Sequence, residues 1–238
     1  MTPYYQDSLV TLYHGDAREL VPQLGHFDSI ITDPVWPNSI FPDVADPEQL
    51  LGEVLHVTDA SRVVVQLGCD SDPRFLDAVP SRWPFIRFCL LEYARPSYKG
   101  RLVYGGDIAY VFGEYPAVVK RECGNGPKLI PGLCISTRSD ARFRRSNWNG
   151  PEKRFNRDSD NTANLPHPAP RRLQHVSWLC KWFGGVSVFD PFIGSGTTAV
   201  ACRALGIPCV GIDIKVKYLD VAIDRLRQGT LELTEVTA

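Results

Sequence analysis

The sequence predicts an α/β fold: a mixed, mostly parallel sheet of about seven strands with helices on both faces. Three observations carry this. Apolar runs of strand length alternate with helix-period segments along much of the chain. Residues Val188–Ile214, VFDPFIGSGTTAVACRALGIPCVGIDI, read as a buried strand, a glycine-rich turn, a helix and a second buried strand ending in an acid. Residues Asp28–Trp36, DSIITDPVW, read as another buried strand, closed by a carboxylate, a proline and an aromatic ring. With 238 residues, 44% hydrophobic and 22% charged, one full core is within reach, and residues 1–238 read as a single domain.

In chain order, LVTLYHGD reads as a strand and ARELVPQL as a short helix. FDSIITD is the strand that delivers Asp33 to the sheet edge. PEQLLGEVLHVTD has helical spacing, with Leu50, Leu51, Val54 and Leu55 on one side. RVVVQLG is a buried strand and DPRFLDAV a short helix. FIRFCLLEY and DIAYVFGE read as far strands with antiparallel pairing. RRLQHVSWLCKWF is an amphipathic helix whose Trp178 and Trp182 belong to a core face. The last helix, VKYLDVAIDRLRQ, packs Leu219, Ala222, Ile223 and Leu226.

Two of these segments carry chemistry. Gly194 and Gly196 let the chain turn tightly and approach a ligand. A helix beginning at Thr197 would point free N–H groups at the crevice and favour a carboxylate or phosphate there. Asp213 ends the next strand, where a carboxylate accepts hydrogen bonds from ribose hydroxyls. The pattern departs from the dinucleotide fingerprint, lacking its third glycine, and from the phosphate loop, lacking GK[ST]. Phe192 and Pro191 supply an apolar wall instead. In the other segment, the Asp33 carboxylate and the Pro34 carbonyl are two acceptors that can hold the hydrogens of an exocyclic amine. Trp36 offers a flat face for a base taken out of a helix.

Composition narrows the classes. Formal net charge is −1, yet residues 120–172 hold 12 Lys and Arg against 5 Asp and Glu. Within this stretch, residues 120–165 form a long basic insertion of poor periodicity, rich in turn residues towards its end. Arg138, Arg142, Arg144, Arg145, Lys153 and Arg154 can neutralise phosphates, while Asn147 and Asn149 can reach base edges. Seven cysteines are scattered without a C-x-x-C pair, as buried thiols of a reducing compartment are, and neither a disulfide frame nor a metal site is expected. His26, His56 and His175 read as structural or surface residues. MTPYYQDSLV lacks the basic flank and apolar run of a secretory signal, and no run of 18 apolar residues occurs, so a cytoplasmic location is expected.

Taken together, these segments resemble the S-adenosylmethionine-dependent amino-methyltransferases that act on DNA. DPVW at Asp33–Trp36 resembles the family's catalytic motif, D/S/N-P-P-Y/F/W, with Val35 in place of the second proline. The Pro34 carbonyl is kept, and valine retains an extended backbone, so the difference removes turn rigidity but no hydrogen-bonding group. DPFIGSGTT at Asp190–Thr198 resembles the cofactor motif, and GID at Gly211–Asp213 its ribose-binding acid. HGD at His14–Asp16 resembles the segment whose acid approaches adenine, and HPAP at His167–Pro170 the segment that closes over the methionine end. The catalytic motif precedes the cofactor motif, which is the circularly permuted order called the beta class.

The resemblance implies a Rossmann-like methyltransferase fold with Asp33, Pro34 and Trp36 as the catalytic set. It implies S-adenosylmethionine as cofactor, held by Asp16, His167, Asp190, Phe192, Gly194, Ser195, Gly196, Thr197 and Asp213. Double-stranded DNA is the implied partner and a homodimer the implied assembly. An aspartate at position 33 leans towards the 6-amino group of a flipped-out adenine. Methylation of the cytosine 4-amino group is the alternative, and a protein that binds cofactor and DNA without turnover is a third.

Overall fold

The computed structural model of the protein describes residues 1–36, 44–99, 101–117, 129–136 and 171–235. Its strands are β1 (Tyr5–Gln6), β2 (Val10–His14), β3 (Phe27–Thr32), β4 (Ala60–Gly68), β5 (Phe85–Lys99), β6 (Leu102–Gly113), β7 (Leu133–Ile135), β8 (Val188–Asp190) and β9 (Cys209–Asp213). They form one sheet in the order β1-β2-β9-β8-β3-β4-β6-β5-β7. The helices are α1 (Ala17–Leu20), α2 (Pro47–Val57), α3 (Leu173–Phe183), α4 (Thr197–Leu205) and α5 (Val216–Glu235). Residues Pro73–Ala78, within the segment read from sequence as a short helix, form a 3-10 helix.

The pairings β2–β9, β9–β8, β8–β3 and β3–β4 are parallel. These central strands are apolar on both sides, as a covered parallel sheet requires. Along β4, Val64 joins one core cluster while Val63 and Val65 join the other. The first cluster gathers the inward faces of α3, α4 and α5, through residues such as Leu179, Ala201 and Leu219. The second gathers α1 and α2, through Ala17, Leu51, Val54 and Leu55. Helices therefore cover both faces, as expected. On α5, Leu219, Ala222, Ile223 and Leu226 are all buried, the spacing of a single helical stripe. On α2, the Asp46 carboxylate accepts from the Gln49 N–H and Pro47 occupies the first turn, a combination that sets the helix start.

Nine strands among the described residues replace the seven expected. The additional pieces are short edges: β1 has two residues and β7 three, below the length at which alternation is visible. β7 also lies inside the stretch read as an aperiodic basic insertion, and it pairs in parallel with β5. The far strands are antiparallel as anticipated: β6 pairs with β4 and β5 with β6.

The strand order fixes where a ligand can sit. From β3 the chain crosses one face through α2 to β4; from β8 it crosses the other face through α4 to β9. The connections diverge between β3 and β8, and the crevice beyond the carboxyl ends of such a pair is the natural binding place in an open α/β sheet. Asp33 follows β3, Asp190 ends β8 and Asp213 ends β9. Residues separated by most of the chain thus reach one edge.

Candidate active site

The β8–α4 turn is braced from three sides. Asp190 is almost fully buried. One of its carboxylate oxygens accepts from Thr32 Oγ1 at 2.9 Å and from the Phe192 N–H at 3.1 Å, and the other accepts from Thr198 Oγ1 at 2.7 Å. Burial pushes this carboxyl up to about 7, against the pull of those three donors. Asp213 accepts from the Gly194 N–H at 3.0 Å and the Lys215 N–H at 2.8 Å, one on each oxygen. Its carboxyl is raised by burial while those two backbone donors hold it down. From α5, the Arg225 guanidinium donates to the Ser195 carbonyl at 2.5 Å and to Thr197 Oγ1 at 3.0 Å. Asp190 is closed off inside the protein, whereas Asp213 is only partly buried and each of its oxygens takes one donor, with capacity for another.

Gly194 and Gly196 adopt φ of +51° and +77°, the left-handed region that glycine enters without strain. The sequence reading gave the space beside Gly196 to a ligand. The structure gives it to α5: a Cβ there would lie 2.5 Å from the Ala222 Cβ. Helix α4 begins at Thr197 as expected, so its N-terminus faces the crevice.

Asp33 reaches the same crevice from the end of β3. The crevice is lined by Asp33, Gln66, Arg171, Phe192, Gly194 and Ser195, among others, and leaves a cavity of about 40 Å³. Burial pushes the Asp33 carboxyl up to about 6, with the Arg171 guanidinium pulling against it. Arg171 grips Asp33 with two parallel bonds, Nε to Oδ2 at 2.5 Å and Nη2 to Oδ1 at 2.7 Å. Its Nη1 reaches Asp107 Oδ2 at 3.2 Å. Asp107 in turn accepts from the Tyr93 hydroxyl at 2.7 Å and from Gln66 Nε2 at 3.3 Å. The same guanidinium lies 3.9 Å from the centroid of the Trp36 ring. Trp36 donates its indole N–H to the Gln66 carbonyl at 3.3 Å and lies over Gly68, where a Cβ would come within 2.7 Å of the ring. Pro34 is buried beside it.

Asp33, Pro34, Trp36, Phe192, Gly194 and Ser195 are therefore brought to one place. Asp16 sits nearby, one residue beyond Gly15, whose N–H donates to the Asp213 carbonyl at 3.1 Å. Its carboxylate caps α1 and pairs with Arg18 at 2.6 Å. His167 and Arg138, Arg142, Arg144, Arg145, Asn147, Asn149, Lys153 and Arg154 lie outside the described residues. Trp178 and Trp182 pack against the core cluster, and Phe183 is buried. His175 is buried, with Nε2 3.0 Å from the Glu92 carbonyl. Of the six cysteines described, all are free and only Cys69 is exposed.

Sequence reasoning missed Arg171, Asp107, Tyr93, Gln66 and Arg225. Arg171 and Arg225 lie in helix patterns where arginine is commonplace. Asp107 was visible only as a charge opening an apolar strand, a signal that a buried partner awaits it. Among the described residues, no group of three or more His, Cys, Asp or Glu could hold a metal ion, and no helix is long and apolar enough to cross a membrane.

Residues 117–224 match the family model described as DNA methylase. The type II methyltransferase M.ScaI of Streptomyces caespitosus is 29% identical over 265 residues, an alignment that spans 94% of this chain and 83% of that protein. M.HpaI of Haemophilus parainfluenzae is 38% identical over 68 residues, 28% of this chain and 22% of the relative. Among solved structures, the M1.HpyAVI–SAM complex matches with a TM-score of 0.60 at 19% identity, covering 91% of this chain and 100% of that one. The cytosine-N4-specific PvuII DNA methyltransferase matches with a TM-score of 0.58 at 14% identity, covering 94% and 88%. At these identities the structural matches speak for the fold. The family match covers the Gly194–Thr198 turn and Asp213 but stops short of Asp33, which the alignment spanning 94% of the chain is long enough to include.

Proposed function

We propose that this chain, a beta-class S-adenosylmethionine-dependent DNA amino-methyltransferase, methylates the 6-amino group of an adenine turned out of double-stranded DNA. The observation that carries the reading is the shared crevice: Asp33 and the Gly194–Ser195 turn line the same cavity. The turn suits a nucleoside cofactor and the carboxylate suits an amine.

The residues present fit S-adenosylmethionine. Asp213 stands at a strand end with acceptor capacity beyond its two backbone donors, the chemistry of a ribose diol site. The α4 N-terminus supplies N–H groups for a carboxylate. Phe192 gives an apolar wall. When bound, the cofactor supplies an electrophilic methyl group on a sulfonium.

The protein's own part is positioning and charge. An aromatic amine is a poor nucleophile because its lone pair is delocalised into the ring. Asp33 and the Pro34 carbonyl accept its two hydrogens, aim the lone pair and stabilise the positive charge that grows on nitrogen. Trp36 stacks on the base and replaces the neighbours it left in the duplex. Asp33, already against the amine hydrogens, is the nearest acceptor for the proton that the methylated amine loses. Because an aspartate at position 33 leans towards adenine within the family, adenine is the proposed base. The arginines and lysines of residues 120–165 are proposed to hold the phosphates, and a homodimer is the proposed assembly.

The test is base analysis. DNA from a host without its own methylation is incubated with enzyme and methyl-labelled cofactor, then digested to nucleosides. Label is expected in N6-methyladenine. Label in N4-methylcytosine moves the assignment to cytosine, and no label in DNA overturns the reading. Asp33→Ala is expected to lose transfer by at least about a hundredfold while cofactor affinity holds. Asp213→Ala is expected to weaken cofactor binding while the fold holds.

A further inference from the structure

We propose that Arg171 gates the base site: its guanidinium occupies the place of the target base on Trp36 and Asp33, and it must leave before a base can be methylated. The inference rests on the roles given above to Asp33 and Trp36.

The likeness is one of shape and polarity. A guanidinium is planar, carries N–H donors along its edge and stacks on aromatic rings. Arg171 uses all three properties. It lies on the Trp36 face at 3.9 Å and presents two N–H groups to the two oxygens of Asp33 at 2.5 and 2.7 Å. An exocyclic amine on a stacked base needs that same face and the same carboxylate. With Arg171 in position, the crevice keeps a cavity of about 40 Å³, room for a few waters and none for a planar base. Base and arginine cannot be accommodated together.

The surroundings let the side chain move while the scaffold stays. Arg171 precedes α3, which begins at Leu173, so rotating its stem breaks no helical hydrogen bond. Arg172 anchors the backbone beside it, with Nη1 3.2 Å from Ser136 Oγ and its guanidinium 4.2 Å from the Tyr93 ring. Asp107 keeps its hydrogen bonds from Tyr93 and Gln66 whether or not Arg171 is there. The cation also has a use in the closed state: it is the counter-charge between Asp33 and Asp107, two carboxylates that would otherwise face each other with little water between them.

Two measurements on the full-length protein test the gate. In the first, methylguanidinium is titrated into transfer assays on bulk DNA with Arg171→Ala. A gate predicts inhibition that is competitive with DNA, because the small cation refills the slot, and no such inhibition of the parent enzyme at the same concentration. Rescue of a slow Arg171→Ala by methylguanidinium would mean that the cation is required for the reaction, and it would overturn the gate; so would the absence of any effect. In the second, binding of labelled deoxyadenosine and deoxycytidine is followed by equilibrium dialysis, which needs no turnover. Arg171→Ala is expected to bind one of them roughly tenfold or more tightly than the parent, as removal of one competing contact of moderate strength would give. Arg171→Lys, which keeps the charge without the planar fork, is expected to fall between and to stand in if the alanine variant unfolds. Equal nucleoside binding by parent and variants, including none by any, overturns the gate. Failure of the parent to label DNA would instead count against the proposed activity, so the two ideas fail separately.

Discussion

At the residue scale, two buried carboxylates have opposite duties and both are pushed upwards by burial. Asp33 has to be ionised to accept amine hydrogens. With its carboxyl at about 6, transfer is expected to fall as pH drops through that value, approaching tenfold per unit at the acid end. The pH profile of kcat/KM between about pH 5 and 8, which reports the free enzyme with Arg171 in place, checks this, and a flat profile would remove Asp33 from the amine. Asp190 has its oxygens turned inward, so its titration is a matter of stability. Its folded value, about 7, lies above the ordinary 3.8. Between those values the folded chain holds a proton that the unfolded chain has lost. The carboxyl therefore favours the fold most at acid pH, and that contribution fades as pH rises through about 7, by on the order of a few kcal/mol. Asp190→Asn should melt with less pH dependence than the parent over this range. Parallel melting curves would contradict it. The sequence made Asp33 legible because a strand, a proline and a tryptophan frame it within nine residues. Its counter-ion was not legible, because Arg171 lies 138 positions away in sequence and only the folded sheet brings the two together.

At the scale of elements, the β8–α4 turn was the most legible part of the chain. Glycines at 194 and 196, a helix from Thr197 and an acid at 213 were all read in place. What the sequence hid is why Gly196 is glycine: the neighbour that excludes a side chain is Ala222 on α5. Gly196→Ala is expected to destabilise the protein by about 1–3 kcal/mol, through strain at positive φ and overpacking against Ala222. Ala222→Gly in the same chain should restore part of that loss, even though glycine in a helix is itself unfavourable by about 1 kcal/mol. Thermal unfolding of the single and double variants gives the coupling directly. Strict additivity would mean that the two residues do not interact and that the space beside Gly196 is free after all. Arg225 belongs to the same lesson. It reads as one more charge on an amphipathic helix, and its bonds to Ser195 and Thr197 appear only when α5 is laid beside the turn.

At the scale of the whole molecule, the layered α/β plan and the antiparallel pairing of the far strands were legible from the alternation of apolar runs. The edge strands were not, since two or three residues carry no measurable period. The strand order has a further consequence, for how the chain is made. β8 and β9 stand between β2 and β3, so the middle of the sheet is built from residues 188–213. Until they emerge from the ribosome, β2 lacks its parallel neighbour β9, and β3, paired with β4 on one side, lacks β8 on the other. Those apolar edges remain open in the nascent chain while the residues between β3 and β8 are made, a state prone to pairing with other chains. Arrival of the Val188–Asp213 segment closes that gap, joins the strand that leads to Asp33 with the Gly194–Thr198 turn and completes the crevice. Closure of the sheet and completion of the crevice therefore come together, in one step of folding.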